Sequence, residues 1–160
     1  MEYFFNFEKM AYVKGKRPDG CILCLIRDGS EEVVDLSVYS DELFCVTVNL
    51  YPYNPGHVMI FPKRHLLDIR EYSEAEERAL AKLTKMFLDV LEETHSPSGF
   101  NIGYNMGFSA GASIGHIHLH MIPRYPRETG ISDLIGGRRV LIESPYTSRD
   151  RIRETVGRRI

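Results

Sequence analysis

The stretch Gly115-His116-Ile117-His118-Leu119-His120-Met121-Ile122 interleaves three of the chain's six histidines with apolar residues. A period of two is the period of a β-strand. The spacing therefore predicts a strand with His116, His118 and His120 on one face and Ile117, Leu119 and Met121 on the other. Same-face neighbours on a strand lie about 6.6 Å apart at the backbone, close enough for adjacent imidazoles to share one phosphate. Three imidazoles make poor core material, because each brings polar nitrogens that need partners. They are well suited to binding a metal, carrying a proton or attacking an electrophile near neutral pH.

Upstream, Phe100 to Met106 alternates again, with Asn101, Gly103 and Asn105 on one face. The loop Gly107-Phe108-Ser109-Ala110-Gly111-Ala112-Ser113-Ile114 joins it to the histidine strand. If the two strands pair as a hairpin, the asparagines share the histidine face. Glycines such as Gly111 let backbone N–H groups converge on an anion, and Ser109, Ser113 and Asn105 add donors. A phosphate held there faces a row of potential nucleophiles. His118, with an imidazole on each side, is the natural one for a covalent phosphoramidate. It must present a neutral nitrogen while its other ring nitrogen donates to an acceptor.

Further out, Leu43 to Leu50 and His57 to Phe61 read as strands around the turn Tyr51-Pro52-Tyr53-Asn54-Pro55-Gly56, giving an antiparallel hairpin. A short strand is expected at Val33-Val34. Ser73 and Glu76 form a capping-box pattern opening a helix to about Thr94, with Leu80, Leu83, Phe87, Val90 and Leu91 on its apolar face. Glu74 and Arg78 read as a surface pair. His95, at the helix C-terminus, reads as a surface residue favoured by the dipole, and Cys45 as core. Arg149 to Ile160 reads as a short helix. Arg138 and Arg139 follow Gly136-Gly137 and are candidates to meet a phosphate. The fold class is α+β: an antiparallel sheet packed against a long amphipathic helix.

The 160 residues suit one domain over 1–160. Apolar content is 43% and net charge −2, so no basic field argues for long nucleic acid. The N-terminus lacks a basic n-region and does not read as a signal peptide, and no apolar run reaches membrane-spanning length. Two of the three cysteines, Cys21 and Cys24, form a C-x-x-C pair. That pattern favours a reducing compartment, with the cytoplasm as default, over a secreted disulfide scaffold. The pair by itself fits a redox dithiol, two thiols in a turn, or half of a zinc site needing two more ligands.

The chain resembles the histidine triad (HIT) superfamily, whose pattern is His-x-His-x-His followed by apolar residues, here His116, His118, His120, Met121 and Ile122. The likeness extends to Asn49-Leu50-Tyr51-Pro52-Tyr53-Asn54-Pro55-Gly56-His57 and to Gly99-Phe100-Asn101 through Arg124, and covers roughly residues 20–140. It is closest to the branch of diadenosine tetraphosphate phosphorylases and hydrolases. The resemblance implies a nucleotidyl transferase or hydrolase acting at the α-phosphate. His118 is then the nucleophile, His120 contacts phosphate and leaving group, and His57 supports the triad. Asn49, Asn105, Gly111 and Ser113 fall in the ribose and phosphate contacts. Ala112 stands where many members carry Gln, which removes a bridging-phosphate contact. Zinc-bearing members and the related hexose-1-phosphate uridylyltransferases imply a structural zinc on Cys21, Cys24, His65 and His116. A homodimer is implied in the same way. Phosphorolysis is narrowly favoured over hydrolysis. Alternatives are a hydrolase of nucleoside phosphoramidates or AMP conjugates, catalysis by a metal on the triad itself, and a nucleotide-binding sensor with little turnover.

Overall fold

In the computed structural model, which describes residues 18–128 and 141–160, five strands form one antiparallel sheet. They are β1 (Ser37–Ser40), β2 (Phe44–Val48), β3 (Val58–Pro62), β4 (Gly99–Tyr104) and β5 (Leu119–Arg124), in the order β1-β2-β3-β5-β4. Among the described residues three α-helices accompany them: α1 (Ile22–Arg27), α2 (Glu74–His95) and α3 (Pro145–Gly157). The expected α+β class is borne out. So are the β2–β3 hairpin, the β4–β5 hairpin and the long helix. Val33 and Val34 are not in a strand; β1 begins at Ser37, after Asp35 has accepted the Ser37 N–H in a local turn. Arg138 and Arg139 lie outside the described residues.

Strand alternation divides the apolar residues between two faces. Phe44, Val46, Val48, Val58, Ile60, Leu119 and Met121 meet Leu80, Leu83, Phe87, Val90 and Leu91 of α2, with Ile152 and Val156 of α3, in the main core. On the other face Cys45, Met59 and Phe61 pack with Leu23 of α1, and Ile114 closes over them. Hence β2 and β3 are buried at every position. Cys45 is core, as expected, but on this second face.

Six residues are too few to hold a helix alone, and Cys21 makes no side-chain cap on α1. Tertiary contacts hold it instead: Leu23 is fully buried, and Arg27 Nη1 donates to the Lys63 carbonyl at 2.5 Å. Burying one leucine is worth about 1.5–3 kcal/mol.

The start of α2 follows its sequence signal. Ser73 Oγ accepts from the Glu76 N–H, and Glu76 returns a carboxylate oxygen to the Ser73 N–H at 2.8 Å. Arg64 grips the same carboxylate through Nε and Nη2 at 2.8 and 2.7 Å. The helix ends where Ser96 turns left-handed at φ 46, ahead of Pro97.

Acidification probes this cap. Hydrogen bonding from Arg64, ahead of the opposing effect of burial and the further bonds from Ser73, holds the Glu76 carboxyl at about 2. A depressed carboxylate stabilises the fold above its unfolded pKa, about 4.3, and that contribution fades as pH falls toward the folded value. In urea unfolding, wild type should exceed Glu76→Gln in stability at neutral pH, and the gap should shrink between about pH 5 and pH 2. A gap unchanged across that window would refute an ionised, paired Glu76.

Candidate active site

The β3–β5 register sets Met59 opposite His120, and the β4–β5 register sets Gly103 opposite His120. His120 therefore projects from the sheet face away from α2. The residue at the start of the neighbouring hairpin arm, His57, is fully buried and places Nε2 3.0 Å from His120 Nδ1. The His118 ring packs edge-on against His120 with centroids 4.6 Å apart.

Neighbours fix which nitrogens carry protons. The Tyr53 N–H donates to His57 Nδ1 at 3.2 Å, so that nitrogen holds a lone pair. Burial, then the charges of His120 and His118, push His57 down to about 3, so the ring is neutral at physiological pH. A neutral ring accepting at Nδ1 carries its proton on Nε2, and His57 donates to His120 Nδ1. Burial, then His118, push His120 to about 4, so it too is neutral, and its proton sits on Nε2. At His118, Nδ1 lies 2.7 Å from the His116 carbonyl, which only accepts. His118 Nδ1 is thus protonated, and Nε2 carries an unshared pair. Burial lowers the His118 pKa, which keeps that pair free. A nucleophilic nitrogen and an N–H donor now stand side by side.

The regular strand starts at Leu119, three residues later than the alternation predicts. The Ile117 N–H donates to the Leu66 carbonyl at 2.7 Å instead of to a ladder partner, which diverts the chain before β5 begins. The three rings consequently take three sets of partners. His116 turns to Cys21 and Cys24, with Nδ1 3.4 and 3.6 Å from the two sulfurs, while His65 Nδ1 lies 3.4 Å from Cys24 Sγ. The ligand atoms of Cys21, Cys24, His65 and His116 lie within 4.8 Å of one another. Bonds of about 2.3 Å to sulfur and 2.0 Å to nitrogen in a tetrahedron require similarly short ligand separations. His116 Nε2 donates to the Pro62 carbonyl at 2.9 Å, which leaves Nδ1 deprotonated toward the cluster. The donor set fits a closed metal site. Among the described residues no other such cluster occurs.

The remaining expected residues make contacts with groups other than these rings. Asn49 folds into its own turn, accepting from the Tyr51 N–H at 2.9 Å, with Nδ2 3.7 Å from Met59 Sδ on the His120 face. Asn105 is half-buried, with Nδ2 facing Gly111, where φ is +88. Ser109, Gly111 and Ser113 are exposed in the connecting loop. His95 departs from expectation: its side chain is buried and bonded to Glu143 at 2.9 Å, and burial lowers its pKa. Sequence reasoning missed Tyr53, whose backbone sets the His57 tautomer and whose ring stacks on His57 at 5.5 Å. It also missed the carbonyls of Pro62 and Leu66. Backbone partners carry no side-chain signal.

Residues 30–127 match the HIT domain family. AP-4-A phosphorylase of Mycobacterium tuberculosis is 36% identical over 107 residues, 66% of this chain and 55% of that protein. The asymmetrical bis(5'-nucleosyl)-tetraphosphatase of Schizosaccharomyces pombe is 33% identical over 97 residues, 61% and 53% of the two chains. The chain thus spans about half the length of these curated relatives. Among solved structures, a Zn-bound histidine triad family protein from Mycobacterium smegmatis superposes with a TM-score of 0.68 at 25% identity, covering 87% of this chain and 94% of that one. With the family match spanning more than half the chain and the histidine constellation in place, this protein belongs to the HIT family.

Proposed function

We propose that the chain is a HIT-type nucleotidyl transferase or hydrolase that breaks dinucleoside polyphosphates, of the diadenosine tetraphosphate kind, at the α-phosphate. The observation that carries this reading is the ordering of protons around the rings: the His116 carbonyl holds His118 Nδ1–H and leaves Nε2 as a lone pair. The names of the mycobacterial and yeast relatives support the substrate class.

His118 Nε2 attacks the α-phosphorus, a P–N bond forms, and the bond to the bridging oxygen breaks with the departing polyphosphate. His120 Nε2–H donates to the phosphate and leaving-group oxygens, and His57 keeps it in that tautomer. An oxygen acceptor then attacks phosphorus from the vacated side, and the P–N bond breaks to restore His118. Asn49, Asn105, Gly111 and Ser113 contact ribose and phosphate. Cys21, Cys24, His65 and His116 would hold a zinc ion, which would supply a structural cross-link between α1 and the segment that leads into β5. No described helix is long and apolar enough to cross a membrane. The working form we propose is a cytoplasmic homodimer, on the family resemblance.

Three outcomes follow. His118→Asn should abolish turnover of diadenosine tetraphosphate, while equilibrium dialysis still finds nucleotide binding; substantial residual turnover in a clean preparation would sink the nucleophile assignment. Metal analysis of purified protein should find one zinc per chain. Cys21→Ser should lose the metal and melt at lower temperature, because metal binding couples to folding. Retention of a full equivalent by that variant would remove the site. Cleavage with inorganic phosphate present should give nucleoside diphosphate as a main product. Monophosphate alone at every phosphate concentration would make the protein a hydrolase.

A further inference from the structure

His57 occupies the inner end of the ring relay, and its neighbour Gly56 is fixed from an unexpected direction. The Gly56 N–H donates to Ser148 Oγ of α3 at 3.2 Å. The Ser148 hydroxyl in turn donates to Glu143 Oε1 at 2.6 Å, and Ser148 is 1% exposed. His95 Nε2–H donates to the same oxygen at 2.9 Å. Arg151 holds the second carboxylate oxygen through Nη1, and its Nη2 bonds the Thr94 carbonyl at the end of α2. One carboxylate, just before α3, thus gathers the ends of two helices and the β2–β3 turn.

The turn has little room to shift. Gly56 has φ +79, and a Cβ there would meet the His95 ring carbons at 3.0 Å. The Pro55 carbonyl accepts from Tyr125 Oη at 2.8 Å, and Asn54 Nδ2 donates to the Pro123 carbonyl at 2.6 Å. These contacts place the peptide that precedes His57. Among the described residues the side-chain hydrogen bonds of His57 are to the Tyr53 N–H, in the same turn, and to His120.

We propose that Glu143 and Ser148 are positioning residues for the histidine relay. Through the Gly56 N–H they hold the Tyr53–His57 turn in the shape that makes His57 an Nε2–H donor to His120. This inference rests on the proposed function for its kinetic consequence, and on geometry alone for its effect on the imidazoles. Neither residue touches the reacting atoms. Their expected signature is a fall in kcat with binding preserved.

The test uses the full chain labelled with 15N-histidine, with Ser148→Ala and Glu143→Gln compared to wild type. Glu93→Gln is the control; it removes ion pairs to Arg158 and Arg159 at the far end of α3. Ring-nitrogen shifts report the His57 and His120 tautomers directly. In wild type, His57 should show a single Nε2–H tautomer. In Ser148→Ala and Glu143→Gln its signals should move toward an averaged mixture. With diadenosine tetraphosphate as probe, kcat should fall about tenfold with KM within about twofold. The control should change neither readout. Wild-type ring signals in a folded Ser148→Ala would overturn the inference, as would an equal loss in Glu93→Gln. If Glu143→Gln fails to fold, Ser148→Ala decides, because it leaves the Glu143 bonds to His95 and Arg151 intact. If wild type cleaves no dinucleoside polyphosphate yet Ser148→Ala scrambles the tautomers, the positioning role stands and the proposed function falls.

Discussion

Three residue pairs between β3 and β5 join the two hairpins into one sheet: Val58 with Met121, Met59 with His120, and Ile60 with Leu119. Because side chains alternate, a slip of one residue would turn His120 into the α2 core and bring Met121 out of it. The apolar residues of β5 therefore lock the chemistry in register. Met121 and Leu119 are buried in the main core, and a one-residue slip would leave them without partners. The same pairing carries the first residue after the β2–β3 turn to the edge of the histidine face, so His57 and His120 meet across the sheet.

Burial determines what these imidazoles can be. Lowering His57 from 6.5 to about 3 weighs against its imidazolium by on the order of 5 kcal/mol. The bond between His57 and His120 is consequently a neutral pair, and its direction is set by the Tyr53 N–H, which leaves one lone pair and one proton on the ring. A charged relay would attract phosphate more strongly, but protonation would remove the lone pair that the proposed attack by His118 uses. The desolvated site instead keeps a lone pair and a donor available together, an arrangement suited to charge that develops only during reaction.

The second sheet face is closed by a different economy of contacts. A six-residue helix with one fully buried leucine packs on Cys45, Met59 and Phe61, and the candidate metal cluster of Cys21, Cys24, His65 and His116 gathers beside it. His116 belongs to both halves of this arrangement. Its ring faces the sulfurs, and its carbonyl holds the proton of His118. One residue thus touches both the start of α1 and the ring of the proposed nucleophile. At the opposite edge, α3 reaches the β2–β3 turn through Ser148, so the rings are braced from both ends of the chain.

The periodicities that arise from local bonding were legible without a structure. The Ser73–Glu76 capping box, the apolar stripe from Leu80 to Leu91, the β-former-rich runs of β2 and β3, and the alternation in β4 all reflect short-range geometry. The histidine stretch and the Cys21–Cys24 pair marked where chemistry concentrates, and the family resemblance joined them to His65. Three expectations misfired, each because a hydrogen bond that the spacing does not show took over. Strand alternation through His116 and His118 gave way to the bond between Ile117 and Leu66. Val33-Val34 yielded to a turn at Asp35, and a surface reading of His95 missed the carboxylate of Glu143. By itself the sequence determined the long helix, the two hairpins and where the candidate reactive side chains cluster, because those follow from spacing and residue type; the short α1 and β1 carried no such signal. Tertiary structure alone decided the proton positions and the brace from α3. Those depend on backbone carbonyls and amides brought together across the fold, and every residue's backbone carries the same groups apart from proline's missing N–H.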